Sequence, residues 1–367
     1  MCRRGARPGR GPPTARDTRV TSAKPSPART ARPRPTPARR TPSMNLLVTG
    51  AAGFIGSRYV RALLASDTPE QTRITVLDSL TYAGTLDNLE LGRPGLEFLH
   101  GDIRDAALVD QLMADTDQVV HFAAESHVDR SIDAAADFVL TNVVGTQTLL
   151  DAALRYGVQP FVHVSTDEVY GPVESGSATE EHPLRPSSPY AASKASADLL
   201  ALSCHRTHGL DVRVTRSSNN YGPHQFPEKL VPLFVTHLLD GRRVPLYGDG
   251  RNVRAWLHVD DHCRGVDLVR TRGRAGQVYN IGGGTELTNR ELTGLLLDVC
   301  GAGWDRVAYV ADRKGHDLRY SVDWSKARDE LGYRPRRDFP AGLADTVAWY
   351  RDNRAWWEPL KRRIAGE

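Results

Sequence analysis

The chain has 367 residues, of which 40% are hydrophobic and 25% are charged, an ordinary globular composition that exceeds one small module. It contains no run of 18 or more apolar residues, so we expect no membrane-spanning helix. Cys2, Cys204, Cys263 and Cys300 are widely scattered without a C-x-x-C pair. We therefore expect neither a disulfide framework nor a zinc site, and a reducing cytoplasm fits best.

Residues 1–43 form a basic extension rich in Arg, Pro, Ser and Thr. Its net charge is +11, from eleven Arg and one Lys against one Asp; since the whole chain carries +4, residues 44–367 carry −7. The extension cannot bury enough apolar surface to offset its chain entropy and is predicted to be disordered. The folded part gives no electrostatic case for nucleic acid. A nucleic-acid arm, a transit peptide and an upstream start codon before Met44 are the alternatives for the extension.

Short apolar strands alternate with helices from Met44 onward. The predicted strands are “NLLVT”, “RITVLD”, “LEFLHGD”, “QVVHFAA”, “PFVHVST” and “DVRVTRSSN”, and a long helical stretch runs from Phe138 to Tyr156. Strands rich in β-branched residues that alternate with helices predict parallel crossover units. We expect a Rossmann-type, doubly wound α/β domain over residues 44–217.

Shorter elements and more Pro and Gly follow residue 217. They include the helix “KLVPLFVTHLLDG”, which we expect Pro232 to interrupt, and the strands “VPLYG” and “QVYNIG”. Thr288, with Glu291 three residues later, predicts a capping box at the start of a helix. Residues 218–367 are therefore expected to form a smaller, discontinuous substrate-binding lobe, with segments that return to the first domain.

A glycine-rich turn links the first strand to the first helix. Gly50, Gly53 and Gly56 would let a pyrophosphate approach the backbone amides at the positive end of that helix. Asp78 ends the second strand, 22 residues after Gly56, where an acid would accept hydrogen bonds from ribose hydroxyls and repel a 2′-phosphate. The pattern favours NAD over NADP. Asp102, in “GDIRD”, lies near a plausible adenine site or is a solvated loop acid.

Tyr190 and Lys194 form a Y-x-x-x-K pair on a predicted helix that Ser188 can cap and Pro189 can begin. The four-residue spacing places both side chains on one face. A phenol with a pKa of about 10 is a poor base at neutral pH, and a neighbouring ammonium favours the phenolate. The pair could deprotonate an alcohol as hydride leaves its carbon, although such pairs also occur by chance on exposed helices.

The stretch “HVSTDEVYG” begins as a buried strand and then places Asp167 beside Glu168. Two close carboxylates raise the pKa of one of them, which keeps a proton available for acid catalysis. Neighbouring side chains on a regular strand point to opposite faces. The backbone after Thr166 must therefore leave strand geometry if both acids are to reach one substrate. A solvated acidic loop is the alternative.

The motifs “TGAAGFIGS”, “LDSLTYAG”, “GDIRD”, “FAAESHVDRSI”, “VSTDEVYG”, “SPYAASK”, “NNYGP” and “DRKGHDLRY” together resemble the extended short-chain dehydrogenase/reductase family. Within it the chain is most similar to the 4,6-dehydratases that act on dTDP-glucose. The likeness runs from about residue 44 to about residue 357. The glycine turn and Y-x-x-x-K mark the wide family, whereas T-D-E marks the dehydratases. The resemblance implies bound NAD, a dTDP-glucose substrate, a role in deoxysugar biosynthesis and a homodimer formed through the helix of Tyr190.

The resemblance also implies a lyase reaction. The C4 hydroxyl of the sugar is oxidised, water is eliminated across C5 and C6, and the hydride returns to C6. Glu168 is then the base for C5 and Asp167 the acid for the C6 hydroxyl. Thr166 and Tyr190 bind the C4 hydroxyl, and Lys194 completes the catalytic set.

The remaining site residues are carried over from the resemblance position by position. The implied cofactor contacts are Gly50, Gly53, Phe54, Ile55, Gly56, Asp78, Ser79, Leu80, Thr81, Asp102, Ile103, Ala123, Ala124, Ser126, Thr141, Tyr190, Lys194 and Asn220. The implied sugar-nucleotide contacts are Ser126, His127, Thr166, Asn219, Glu228, Lys229, Leu230, Pro245, Tyr247, Arg254, Asn289, Arg313 and His316. Arginine suits such a site because its planar fork binds diphosphate oxygens bidentately. No metal ligand is implied.

Departures from the family pattern are few, and none removes a catalytic side chain. Arg58 stands where relatives often carry His, and Ser217 and Ser218 precede the paired Asn residues. A UDP-sugar 4-epimerase or decarboxylase of the same family is the nearest rival function, since it needs NAD and Y-x-x-x-K but not both acids. An NAD-binding sensor without chemistry is a second rival, although such proteins typically lose the Tyr or the Lys.

Overall fold

The computed structural model describes residues 43–66 and 72–365. Residues 1–42 of the extension, for which disorder is predicted, lie outside the described residues. The strands are β1 (Met44–Thr49), β2 (Thr72–Asp78), β3 (Leu96–His100), β4 (Gln118–His121), β5 (Phe161–Thr166), β6 (Val212–Ser217), β7 (Asn219–Tyr221), β8 (Val244–Tyr247), β9 (Val253–His258), β10 (Val278–Ile281), β11 (Thr285–Thr288) and β12 (Val307–Val310).

The helices alternate with these strands in the first half of the chain. They are α1 (Phe54–Leu64), α2 (Ala106–Met113), α3 (Val128–Asp133), α4 (Ala135–Phe138), α5 (Thr146–Tyr156), α6 (Pro189–His208), α7 (Leu230–Leu239), α8 (Val259–Arg272), α9 (Asn289–Cys300), α10 (Ser325–Leu331), α11 (Phe339–Asp352) and α12 (Arg354–Ala365). Within the described ranges, no helix has the length and apolar character needed to cross a bilayer.

Seven parallel strands form the central sheet in the order β3-β2-β1-β4-β5-β6-β10. The strand order reverses between β1 and β4, which is the topology of a doubly wound Rossmann sheet. The predicted α/β fold class is confirmed. The boundary predicted at residue 217 falls between β6 and β7, and α8 and β10 return to the central sheet from the later part of the chain.

Successive residues of each strand point to opposite sides of the central sheet, and helices bury the side chains on both faces. On β1, Leu46 and Val48 belong to one apolar cluster, which α1 and α8 cover. Leu47 belongs to a second cluster on the opposite face, which includes residues of α2, α5 and α6. Covering both faces leaves the carboxyl ends of the strands as the edge at which ligands can enter.

A smaller lobe is built from the segments between and after the returning elements. It contains the three-stranded sheet β11-β9-β7 and the pair β12-β8. Its apolar core is shared by α7, α9, α11 and α12 and includes the fully buried Leu292 and Trp357. The lobe places β7, β9 and the start of α9 beside the carboxyl edge of the central sheet.

One local prediction is wrong. Pro232 does not interrupt its helix, because α7 begins at Leu230 and the proline occupies the first turn, where its missing N–H has no helical partner in any case. The stretch from Phe138 to Tyr156 is helical as predicted, and within it a π-helical segment, Val139–Gly145, joins α4 to α5. Hydrophobic periodicity carries no signal for such a short change of helical pitch.

The predicted helix caps are confirmed. The Ser188 hydroxyl accepts a hydrogen bond from the amide of Ala191 at 3.1 Å, and Pro189 is the first residue of α6. At α9 the Thr288 hydroxyl accepts from the amide of Glu291 at 3.0 Å, while the Glu291 carboxylate accepts from the amide of Thr288 at 2.7 Å. These bonds satisfy amides that the helices themselves leave unpaired.

The capping box of α9 gives a test of the fold. Thr288→Ala should lower the free energy of unfolding by about 1 kcal/mol, because the amide of Glu291 loses its acceptor. Thr288→Ser keeps the hydroxyl and serves as the control. Urea titration measures both variants. Equal stability of the Ala and Ser variants would show that the box does not stabilise the helix.

Candidate active site

A cavity of about 900 Å³ lies at the carboxyl edge of the central sheet. Residues that follow or end β1, β2, β3, β4, β5 and β6 line one side of it, and residues of the smaller lobe line the other. This edge includes the point between β1 and β4 where the strand order reverses. Ligands of doubly wound sheets bind at that position.

The glycine turn forms one wall of the cavity. Gly50 has φ +73°, and a Cβ atom on it would lie 2.4 Å from the backbone nitrogen of Ala123. A Cβ atom on Gly56 would lie 2.7 Å from the carbonyl oxygen of Gly50. Both positions require glycine for the turn to pack against β4 and α1. The turn presents the N-terminus of α1, which begins after Gly53, to the cavity.

Asp78 is fixed at the end of β2. Its carboxylate accepts hydrogen bonds from the amides of Ala52 at 2.9 Å and Leu80 at 2.8 Å. Burial raises the pKa of Asp78, and the two amides oppose that rise. Leu80 has φ +49° and does not line the cavity, although it was among the predicted cofactor contacts. Its amide instead orients Asp78, whose carboxylate remains at the wall of the cavity.

Asp102 lines the cavity beyond β3 and is paired with Arg104. Its carboxylate accepts from the Arg104 amide at 2.8 Å and from Nη2 at 2.6 Å. The Arg104 guanidinium holds the pKa of Asp102 below its usual range. The carboxylate of Asp102 therefore stays ionised where it lines the cavity.

The chain turns sharply where β5 ends. A 3₁₀ turn, Asp167–Tyr170, follows β5 at once, and the Thr166 hydroxyl accepts from the amide of Glu168 at 3.3 Å. Thr166, Asp167 and Glu168 all line the cavity. The prediction that the backbone leaves strand geometry after Thr166 is confirmed, and this turn is what directs two consecutive carboxyl groups into one space.

Asp167 is the more strongly desolvated of the two acids. It is 3% exposed, and its Oδ2 atom has no hydrogen-bond partner among the described residues. Burial and the charge of Glu168 raise the pKa of Asp167 to about 7, with Arg254 opposing them. A carboxyl group in this environment keeps a proton well above the pH at which a free carboxyl group loses it.

Glu168 lies among cations. Burial raises the pKa of Glu168 above its usual value, and Arg254, Arg313 and Lys229 oppose that rise. Arg254 also opposes the rise at Asp167, so cations act on both acids. Both carboxyl groups therefore hold a proton more tightly than a free carboxyl group does, in different electrostatic surroundings.

The Tyr190 and Lys194 pair is buried beneath the same wall. Lys194 Nζ donates to the carbonyl of Val164 at 2.8 Å and lines the cavity. Burial lowers the pKa of Lys194 to about 8, and Asp198 opposes this shift. Burial and Glu168 raise the pKa of Tyr190 far above 10, while a hydrogen bond with Thr166 lowers it. The favourable effect of the Lys194 ammonium on the phenolate stays a prediction, and burial of Tyr190 acts against it.

The cavity brings together the other predicted site residues. All predicted catalytic, cofactor and sugar-nucleotide positions line it except Leu80 and Tyr190. Tyr190 is 9% exposed and lies on α6 one helical turn before Lys194, which does line the cavity.

Several residues of the site had no role in the sequence prediction. Arg130 lies 3.7 Å from the centre of the Tyr82 ring and donates to Glu228 at 3.3 Å, so α3, the loop after β2 and the smaller lobe meet at the cavity. Asn142, in the π-helical segment, accepts from the amide of Glu125 at 2.8 Å. Arg130 lies inside “FAAESHVDRSI” and could have been found there, whereas no pattern marks Asn142.

Several polar atoms at the cavity are buried without a hydrogen-bond partner among the residues the structure describes. They are Ser218 Oγ, Asn219 Oδ1, Asn220 Oδ1, Trp256 Nε1, Asn289 Oδ1 and Arg313 Nε. Buried polar groups are normally paired, so this concentration indicates a polar ligand. Across the same described ranges, no group of three His, Cys, Asp or Glu side chains is arranged to hold a metal ion.

A doubly wound sheet, a glycine turn and a buried Y-x-x-x-K pair at its carboxyl edge define an extended short-chain dehydrogenase/reductase. The model of the family described as GDP-mannose 4,6 dehydratase matches residues 47–346, and the chain belongs to this family.

Known proteins similar to this chain include dehydratases and epimerases. The chain is 73% identical to a dTDP-glucose 4,6-dehydratase of Streptomyces antibioticus over 88% of this chain and 97% of the relative. A crystal structure of a Streptomyces venezuelae dTDP-glucose 4,6-dehydratase with NAD and TYD bound is 64% identical, with a TM-score of 0.85 over 86% of this chain and 100% of that chain. A UDP-glucose 4-epimerase of Thermotoga maritima is 32% identical, with a TM-score of 0.79 over 84% of this chain and 99% of that chain.

The raised pKa of Asp167 predicts that replacing this acid stabilises the protein, and that the gain is larger at high pH. Because its folded pKa is raised to about 7, the stability from this group is present below an unfolded pKa of about 4 and is lost as the pH rises to about 7. Asp167→Asn should therefore raise Tm by a few degrees at pH 8 and by less at pH 5. Thermal unfolding at both pH values measures this.

Asp115→Asn, at an exposed position, is the control and should change Tm little at either pH. An equal effect of Asp167→Asn at pH 5 and pH 8 would contradict the raised pKa.

Proposed function

We propose that this protein catalyses the NAD-dependent dehydration of dTDP-glucose to dTDP-4-keto-6-deoxyglucose. The observation that carries the proposal is the turn after β5, which directs Asp167 and Glu168 into one cavity beside Lys194. Oxidation and reduction alone need only Tyr190 and Lys194, whereas elimination of water needs a separate acid and base. The names of the similar dehydratases agree with this reading.

The residues present fit NAD. The glycine turn presents the N-terminus of α1, whose first amides have no partner within the helix, and this suits a pyrophosphate. The fixed Asp78 carboxylate suits ribose hydroxyls and disfavours a 2′-phosphate. The unpaired Asn220 Oδ1 offers an acceptor on the opposite wall of the same cavity. When bound, NAD supplies the capacity to accept hydride from C4 of the sugar and to return it to C6.

Tyr190 removes the proton of the C4 hydroxyl as that carbon is oxidised, and Thr166 orients the hydroxyl. Burial and Glu168 oppose ionisation of the phenol, so Tyr190 becomes a competent base only when positive charge lies beside it. Lys194 is one source of that charge, and the bound oxidised cofactor is the second. This dependence couples activation of the base to occupancy of the cofactor site.

Glu168 and Asp167 then divide the elimination. A ketone at C4 acidifies the hydrogen on C5, and Glu168 accepts that proton. Asp167 donates a proton to the C6 hydroxyl, which leaves as water. The raised pKa of Asp167 fits a proton donor, and the cations Arg254, Arg313 and Lys229 favour the ionised form of Glu168 that a base needs.

Arg254, Arg313 and Lys229, which act on the charge of Glu168, also bind the diphosphate of the substrate. Arg254 is 5% exposed, and its guanidinium is held by the carbonyls of Asp317 at 3.0 Å and Val253 at 2.8 Å. Carbonyl acceptors fix the fork without neutralising its charge. The side of the cavity formed by the smaller lobe therefore offers net positive charge to a nucleotide diphosphate.

The UDP-sugar 4-epimerase reading predicts a different product. The similarity to a UDP-glucose 4-epimerase shows that this fold also supports that reaction. Incubation of the purified protein with dTDP-glucose and NAD, followed by mass spectrometry, distinguishes the two. Dehydration gives a product that has lost one water. A C4 epimer of unchanged mass would overturn the proposed function.

Glu168→Gln should separate oxidation from elimination. The amide cannot accept the C5 proton, so dehydration should slow by at least about 100-fold, while oxidation at C4 persists and reduced nicotinamide accumulates. Product mass and nicotinamide absorbance measure the two steps.

Glu174→Gln makes the same change at an exposed position and should dehydrate as the unaltered protein does. Normal dehydration by Glu168→Gln would remove the base assignment.

A homodimer belongs to this proposal. Val139, Leu140, Val144, Leu154 and Leu199 are between 36% and 58% exposed, on the π-helical segment, α5 and α6, which pack against one another. Exposed apolar residues grouped on adjacent helices favour a protein interface. A second copy of this chain, packed on α5 and α6, is the occupant we propose. The free thiols of Cys204, Cys263 and Cys300 support a cytoplasmic setting for the enzyme.

Leu199→Glu tests the interface. Leu199 is 58% exposed, so the change should leave the subunit folded but place a charge in the contact and shift the protein from dimer to monomer. Light scattering with size-exclusion chromatography measures the mass. Leu91→Glu, at a 49% exposed position away from these helices, should stay dimeric. A dimer that survives Leu199→Glu would exclude this face.

A further inference from the structure

Asp198 is a fully buried acid for which neither the mechanism nor the sequence motifs provide a role. It lies on α6, four residues after Lys194, and is 0% exposed. Its Oδ2 accepts a hydrogen bond from Arg216 Nε of β6 at 2.8 Å, and its Oδ1 lies 3.3 Å from His163 Nε2 of β5. A buried carboxylate is costly unless cations or donors surround it, so its presence needs a reason.

Asp198 and Lys194 reach the same short stretch of β5. Lys194 Nζ donates to the carbonyl of Val164. Asp198 lies beside the side chain of His163, the residue before Val164. Since residues four apart share one helix face, the carboxylate lies on the same side of α6 as the ammonium.

Among the charged groups around this pair, Asp198 is the anion that stabilises the charged form of Lys194. The titratable and charged neighbours from the packed elements are Tyr190 on α6, His121 on β4, His163 on β5, Arg216 on β6, and Asp167, Glu168 and Tyr170 on the 3₁₀ turn. Burial lowers the pKa of both His121 and His163, so they are neutral. Burial opposes ionisation of Asp198, but Arg216 and His163 hold its pKa at about 2. Asp198 is therefore charged at every working pH.

We propose that Asp198 is a positioning residue for the catalytic pair: its buried carboxylate keeps Lys194 charged and, through Arg216, fixes the face of α6 that carries Tyr190 against β5 and β6. The proposal deepens the proposed function, since a role in turnover rests on Tyr190 and Lys194 being catalytic. The effect of the Asp198 charge on the pKa of Lys194 does not depend on the substrate.

Arg216 extends the network away from the cavity. Its Nη1 donates to the Tyr170 hydroxyl at 3.0 Å, and that hydroxyl donates to Asn280 Oδ1 of β10 at 2.8 Å. Tyr170 does not line the cavity. A variant at Tyr170 therefore weakens the same buried network without changing the charge beside Lys194.

Direct titration of Lys194 tests the proposal. The chain has six lysines, so protein labelled with ¹³C at lysine Cε gives few signals, and loss of one in Lys194→Arg assigns it. Asp198→Asn should lower the measured pKa of Lys194 by about one unit or more, the size of effect that an opposite charge within a few Å produces. The alkaline limb of the kcat/KM profile for dehydration should move to lower pH by a similar amount.

Matched variants separate charge from structure. Asp198→Glu keeps the charge and should restore most of the Lys194 pKa. Tyr170→Phe should lower Tm but leave the Lys194 pKa unchanged. If Asp198→Asn does not fold, the double variant Asp198→Asn with Arg216→Met removes both buried charges together. The Lys194 pKa should still fall, though by less than in Asp198→Asn, because Asp198 is the charged group that acts on Lys194 while loss of the Arg216 cation works the other way.

An unchanged Lys194 pKa in whichever of the Asn variants folds would overturn the proposal and leave Asp198 a purely structural partner of Arg216. Failure of the unaltered protein to dehydrate dTDP-glucose would instead count against the proposed function. The NMR titration needs no turnover, so the two failures are distinguishable.

Discussion

The site depends on the backbone turn that follows β5. A regular strand would send Asp167 and Glu168 to opposite faces of the sheet, and only one acid could then reach a ligand at the carboxyl edge. The 3₁₀ turn capped by Thr166 directs both into the cavity. Parallel strands make this possible, because their carboxyl ends meet at one edge of the sheet, where the loops are available to bind a ligand. The rest of the site is arranged around these two side chains.

The electrostatics of the cavity act on both acids. Burial and the neighbouring Glu168 raise the pKa of Asp167 to about 7, and burial also raises the pKa of Glu168, with Arg254, Arg313 and Lys229 opposing that rise. In the proposed function the same cations bind the nucleotide diphosphate. Ligand binding and the protonation of the acids are therefore coupled through shared charges. The raised pKa of Asp167 costs stability at neutral pH, which is the usual exchange between stability and function at an active site.

Much of this arrangement could be predicted from the sequence because it depends on local patterns. The alternating strands, the glycine turn and the caps at Ser188 and Thr288 follow from short-range rules. The departure from strand geometry after Thr166 follows instead from the expectation that both acids reach one substrate. The misses have non-local causes. Asn142 of the π-helical segment bonds to Glu125, 17 residues earlier in the chain, and the ionisation of Tyr190 depends on burial that no spacing reveals. Asp198 and Arg216 meet only once α6 packs on β6.

The central claim is that hydride leaves C4, two unequal acids eliminate water, and the same hydride returns to C6. Turnover of dTDP-glucose carrying deuterium at C4 tests it most directly, with the product analysed by mass spectrometry and NMR. The account predicts a product that has lost one water and carries the deuterium at C6. A product that keeps its C6 hydroxyl, or that holds no deuterium at C6, would contradict it.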